Sequence, residues 1–275
     1  MSSTTLEPHQ KELFGHPIGL FTLFFTEMWE RFSYYGMRAI LVLYLVTETT
    51  QANPGLGWTN GEALALYGWY TMMVYVMSVP GGYIADKFLG QRKSVTIGGV
   101  LLLIGHSVLA IEHLTAFYAG LVFIVLGVGM LKPNISTMVG GLYKPGDVRR
   151  DKGFTIFYIG INVGAFLSSL IVGYVGETYG WHYGFGLAGI GMALGVAQYL
   201  LGQKYLKDVG NFIGDTAEST QNLKAPLTKE EKDRITVLLI SFLLVILFWG
   251  AFEQAGGLMN IYTMEKTNRM IGGWE

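Results

Sequence analysis

The chain has 275 residues, a formal net charge of −1, no cysteine, 51% apolar residues and only 14% charged ones, against about 25% charged in a typical soluble domain. The near-neutral balance leaves no electrostatic footprint for nucleic acid. The missing thiols exclude a disulfide framework or a cysteine metal site, and the apolar content excludes a disordered chain.

Residues 1–16 are polar and lack the charged-then-apolar order of a cleavable signal. They read as a cytoplasmic N-terminal tail. The first apolar segment, about residues 17–47, holds Glu27, Glu30, Arg31 and Arg38. Each charge facing lipid at a bilayer centre would cost roughly 2.5–3.5 kcal/mol. Positions 27, 30, 31, 34 and 38 share one helix face, so the spacing predicts a span that turns its charges, with Tyr34 and Tyr35 among them, toward protein or a water-filled cavity. Glu27 and Arg31 are also an i,i+4 pair that could simply staple helices. The run Glu27-Met-Trp-Glu30-Arg31-Phe32-Ser-Tyr34-Tyr35-Gly36 resembles the ExxERFxYYG motif of the proton-coupled oligopeptide transporters of the major facilitator superfamily.

The second and third spans, about 63–85 and 94–111, are uncharged. They flank a loop, Gly81-Gly82 through Asp86 to Gly90, Arg92 and Lys93, whose glycines allow close packing and a tight turn. Asp86 ends a span where Arg92 and Lys93 can approach it. The loop is similar to that of the superfamily between its second and third helices, and the resemblance implies a cytoplasmic latch of Gly82, Asp86 and Arg92. The fourth span contains Lys132-Pro133-Asn134. Lys132 is either a snorkelling residue or a cation at depth that needs a carboxylate, with Glu27 and Glu30 as candidates. The fifth, 153–176, carries Asn162 within a run similar to the FYxxINxG signature of the same family. Asn162 by itself reads equally well as interhelical glue. The sixth covers 184–202. The polar stretch 204–233 reads as a cytoplasmic linker. The seventh span, 234–264, contains Phe248-Trp249-Gly-Ala-Phe252-Glu253-Gln254, which resembles the family's FWxxFEQ pattern and offers Glu253 as a proton or gate residue, or as an outer-interface carboxylate. His106 has no second histidine at i+4 and reads as a packed residue. The aromatics of spans two and six read as lipid or packing surface, Tyr75 excepted by the resemblance.

Of the Lys and Arg outside the spans, two, Lys266 and Arg269, follow the last span and the rest fall at Lys11, 87–93, 144–152 and 204–234, whereas 48–62, 112–115 and 177–183 contain none. The positive-inside rule therefore places the N-terminus in the cytoplasm. The expected fold class is an all-α membrane protein. A six-helix N-terminal bundle (17–203) of a major-facilitator fold, a linker (204–233) and a seventh helix (234–264) opening a second half are followed by an extracytoplasmic tail (265–275), truncated by this reading.

The resemblance implies proton-coupled symport of di- and tripeptides across a bacterial cytoplasmic membrane, with no enzyme activity and no cofactor beyond the proton gradient. Its partners would be small peptides, protons and the lipid bilayer. The proton-coupling set is Glu27, Glu30, Arg31, Lys132 and Glu253. The substrate set is Tyr34, Tyr35, Arg38, Tyr75, Lys132 and Asn162. The alternatives are the same fold carrying nitrate or amino acids, and a seven-helix receptor or pump. The inward N-terminus opposes a receptor, and the last span has no lysine to carry a pump's retinal.

Overall fold

The computed structural model describes residues 11–212 and 227–270. Most of the expected N-terminal tail, the middle of the linker and the last residues of the C-terminal tail lie outside the described residues. Residues 12–17 form a small hairpin where the tail was expected to continue. β1 (Glu12–Leu13) pairs antiparallel with β2 (His16–Pro17). The two-residue connection puts Phe14 at φ 51° and Gly15 at φ 75°, the pair of left-handed residues that a tight hairpin of this kind requires. Arg149 fixes the hairpin from across the chain, donating to Glu12 Oε1 (2.8 Å), Gly15 O (3.1 Å) and Asp147 Oδ2 (2.8 Å). His16 Nδ1 lies 2.8 Å from Tyr143 Oη.

Six long helices follow: α1 (Ile18–Val46), α2 (Asn60–Ile84), α3 (Gln91–Leu109), α4 (Leu114–Gly141), α5 (Arg149–Tyr179) and α6 (Trp181–Gly202). A capping box of Thr59 and Glu62 starts α2. A π-turn, Ala85–Leu89, and Gly90 at φ 78° turn α2 into α3. α1 packs against α5 and α6, α3 against α4 and α6, and α2 against α4. Between lipid-embedded helices apolar burial brings no hydrophobic gain, so close backbone approach has to do the work. On α3 and α4 it is supplied by glycines spaced seven apart and facing each other antiparallel. A Cβ on Gly98 would meet Gly127 O at 2.7 Å, and one on Gly105 would meet Gly120 O at 2.9 Å.

Among the described residues, five stretches are long and apolar enough to cross a membrane by length and composition: α3, α4, α5, Trp181–Tyr205 and Lys229–Lys266. The other two expected spans are covered by α1, with its four charges, and by α2, diluted by tyrosines and glycines. The seventh span is not one helix. It runs as α7 (Lys229–Phe252), a 3₁₀ turn (Glu253–Gly256) and α8 (Leu258–Lys266). The Gly256-Gly257 pair lets it break, and Gly257 has φ −111°, ψ −102°. α7 buries none of its residues, whereas the break and α8 lie on α1 and α2. The linker's start is also more ordered than a loose segment: Arg92 N donates to Gly210 O at 2.8 Å, and Leu206 is fully buried.

Gly127→Val should lower the melting temperature in detergent, with overpacking of about 1–3 kcal/mol. Gly173→Ala, where an added Cβ meets nothing within 4 Å, should leave it unchanged. At the hairpin, the hydrogen bonds from Arg149 hold the half-buried Asp147 carboxyl below its usual range. A carboxylate depressed on folding contributes above its unfolded value of about 3.9 and loses that contribution as pH falls through its lower folded midpoint. A carboxyl-carbon titration of Asp147 should show the lowered midpoint, and Arg149→Gln should raise it toward the ordinary value, while the backbone N–H of residue 149 still donates to the carboxylate.

Candidate functional site

α1 turns its charges inward, as the spacing of 27, 30, 31 and 38 demands. Glu27, Glu30 and Arg31 are at most 3% exposed. Arg31 Nε lies 3.0 Å from Glu27 Oε1 and 2.5 Å from Glu30 Oε2. Both contacts are charge pairings rather than aligned hydrogen bonds. Glu27 Oε2, both oxygens of Glu30 and Arg31 Nη2 have no hydrogen-bond partner. The guanidinium carbons of Arg31 and Arg38 both stand 5.4 Å from the Tyr34 ring centroid, and 5.7 and 5.6 Å from that of Tyr35. The tyrosine pair therefore separates two like charges and offers each a π face.

The break in the seventh span completes the centre. Arg38 donates to a carboxylate oxygen of Glu253 and to the hydroxyl of Tyr67. Tyr67 Oη donates on to Glu253 O (3.2 Å), and Tyr75 Oη donates to Glu253 Oε1 (3.0 Å). Asn260 Nδ2 donates to Ala39 O (2.8 Å), seating α8 on α1, and Asn60 Nδ2 donates to Glu265 Oε1 (3.1 Å). A cavity of about 420 Å³ opens here, lined by Tyr35, Arg38, Ser169, Phe252, Glu253 and Asn260 among others.

Lys132 reaches the centre by another route than expected. No carboxylate lies within ion-pair distance of it among the described residues; its Nζ sits 4.7 Å from the Tyr75 ring centroid. Glu27 and Glu30 are already taken by Arg31, which is nearer along the same helix. Asn162 stays outside. It is exposed and donates to Tyr158 O (2.9 Å) one turn back, because α5 meets α1 through Gly160 and Gly164 and residue 162 falls on the opposite face. In the loop between α2 and α3 the close-packing glycine is Gly81, which abuts the Gly129 backbone, while space is open at Gly82. Arg92 does not meet Asp86. Its guanidinium donates to Lys207 O and to Val209 O (3.1 Å), carbonyls of the turn that follows α6 at the start of the linker.

Tyr67 was missed by reading span two as lipid surface. It lies eight residues before Tyr75, within about 80° of it around the helix, and that spacing was the available signal. Asn260, seven residues after Glu253, carried a similar one. Tyr70, whose hydroxyl is buried without a partner, had none.

An apolar helical bundle with a charged, inward-facing centre joined to a broken span defines a multi-span membrane protein of the carrier type. A profile of the POT family matches residues 92–225. The chain is 48% identical over 207 residues to a di-/tripeptide transporter of Lactococcus lactis subsp. lactis (strain IL1403), covering 74% of this chain and 42% of that protein. It is 33% identical over 336 residues to the peptide transporter YePEPT of Yersinia enterocolitica, covering 100% and 65%. A crystal structure of a POT family transporter in complex with a thioalcohol-conjugated peptide superposes with a TM-score of 0.79 at 35% identity, covering 96% of this chain and 66% of that one. The chain thus spans less than two thirds of the length of these relatives. It belongs to the POT family, a family of membrane transporters.

Glu253→Gln should leave Arg38 a poorly compensated buried charge and destabilise the protein by roughly 3 kcal/mol. A thermal shift in detergent would read this. Arg38→Gln in the same chain should recover part of the loss, since the pair rather than either residue is at stake.

Proposed function

We propose that this chain is the N-terminal part of a proton-coupled symporter of di- and tripeptides in the bacterial cytoplasmic membrane, driven by the proton gradient with no cofactor. One observation carries the reading. The centre gathers three carboxylates, Glu27, Glu30 and Glu253, and three cations, Arg31, Arg38 and Lys132, joined by tyrosines, and Arg38 and Glu253 open onto the cavity between α1, α5 and the broken span.

Such a set is neutral when all six groups are ionised. One added proton leaves it at +1, and a substrate carboxylate restores neutrality. Proton and peptide therefore favour each other's binding, which is what symport requires of a coupling free energy. Glu30 is the proposed proton acceptor, since neither of its oxygens is committed to a hydrogen bond. Lys132 and Arg38 receive the peptide's carboxylate, Lys132 first because no carboxylate holds it. The hydroxyls of Tyr34, Tyr35 and Tyr75 face the peptide backbone. Glu253 then exchanges Arg38 for solvent or substrate, and the break at Gly256-Gly257 lets the seventh span move as the site changes sides. Asp86, exposed at the cytoplasmic end of α2, and Arg92, tied to the turn that follows α6, form the latch between halves. The family name and the peptide transporters among the relatives support this reading over nitrate or single amino acids.

The test is acid-driven uptake of labelled dialanine into liposomes holding the chain within a carrier of its relatives' full length. Uptake should collapse with a protonophore. Nitrate uptake without dialanine uptake would replace the substrate and keep the carrier. Glu30→Gln should lower uphill uptake by roughly tenfold or more while counterflow exchange persists. Its peptide affinity should no longer vary with pH, because the site then holds +1 throughout.

A further inference from the structure

Most exposed apolar side chains of this protein lie on membrane-spanning helices, where lipid accounts for them. Phe14 does not. It precedes α1, at the tip of the hairpin, and is 85% exposed. Its backbone sits at φ 51°, a conformation that Gly, Asn or Asp adopts readily and a bulky aromatic does not. Its ring lies edge-on to Phe21, in the first turn of α1, with centroids 6.2 Å apart. The tip is also held in place. Arg149 binds Glu12 and Gly15 O on either side of it, His16 meets Tyr143, and Ile18 N donates to Lys11 O at 3.0 Å. Val148, between the two clamp residues Asp147 and Arg149, is 88% exposed.

We propose that the hairpin tip is a membrane anchor: Phe14, with Val148 beside it, inserts into the interfacial layer of the cytoplasmic leaflet, and the partner is phospholipid. The depth follows from α1. A ring touching the first turn of a spanning helix sits where that helix leaves the headgroups. The charge pattern fits the same surface. Lys11, Lys144, Arg150 and Lys152 are exposed on the hairpin and on the α4–α5 connection. The acidic Glu12 and Asp147 among them are occupied by Arg149, and the exposed Asp151 leaves the cations in excess. An apolar tip ringed by cations is the composition of an interfacial anchor on an anionic leaflet. Because Arg149 joins the hairpin to the α4–α5 connection, lipid that holds the tip also sets the height of α1 and α5 relative to the bilayer plane. The strained Phe14 backbone is then maintained by what its side chain gains in lipid.

The chain has no cysteine, so a single nitroxide can be placed by Phe14→Cys without a background substitution. The protein would be held in vesicles of phosphatidylethanolamine and phosphatidylglycerol, and relaxation of the label by oxygen compared with relaxation by a water-soluble nickel complex. Ile190→Cys, on the lipid-facing side of α6, and Thr50→Cys, in an exposed loop, give the lipid and water references. The label at 14 should show an oxygen-to-nickel ratio several-fold above that at 50 and approaching that at 190, and Val148→Cys should follow it. A ratio at position 14 equal to that at 50 would overturn the anchor. So would a label shielded from both reagents, which would mean that protein covers the tip. Phe14→Asn, which keeps the left-handed backbone and removes the ring, serves as a second variant. With a label at Leu13, it should show a fall in the oxygen-to-nickel ratio; an unchanged ratio would mean that the ring does not hold the tip in lipid.

Discussion

The structure depends on one constraint: ionised groups carried into a bilayer must be compensated by protein. α1 brings four of them, and facing lipid they would cost roughly 10 kcal/mol or more together. The helix therefore lies inside the bundle, covered by α5 and α6. Arg31 answers the two nearby glutamates from the same helix face. Arg38 finds its counter-charge on another element, and this draws the seventh span into the site. The 3₁₀ turn, the glycine pair and the seat of Asn260 on α1 serve that contact.

Compensation is complete in charge yet incomplete in hydrogen bonding. Several oxygens of Glu27 and Glu30 carry no hydrogen bond, and Lys132 rests on an aromatic face. A fully bonded network would be rigid and indifferent to pH. One balanced in charge with open valences can take up a proton or an anion at small structural cost. Around this centre the scaffold is stiff for a different reason. Where lipid removes the hydrophobic drive, backbone contacts at Gly98–Gly127 and Gly105–Gly120 fix α3 to α4. α7 has no such partners among the described residues, and it joins the bundle only through its broken upper part.

Much of this was legible beforehand because charge in a membrane is so expensive. The α1 face could be read from spacing alone, since a helix has one geometry and lipid tolerates one outcome. Lys132 and Glu253 stood open between the interior and an interface. Their partners could not be read from spacing. Lys132 was expected on Glu27 or Glu30, but Arg31 is closer to both. Arg92 was expected near Asp86, but the carbonyls of Lys207 and Val209, in the turn after α6, lie within its reach. Tyr67 was assigned to packing because a tyrosine suits lipid interface and polar site equally.

The amino-acid sequence by itself determined which segments form long apolar helices and which face of α1 carries charge. These follow from local periodicity and transfer energies that do not depend on distant residues. Only the tertiary structure decided who pairs with whom: Arg38 with Glu253, Lys132 with Tyr75, Arg149 with the hairpin. Pairing is a competition among several candidates for each charge, and its winner is set by distances between helices far apart in the chain.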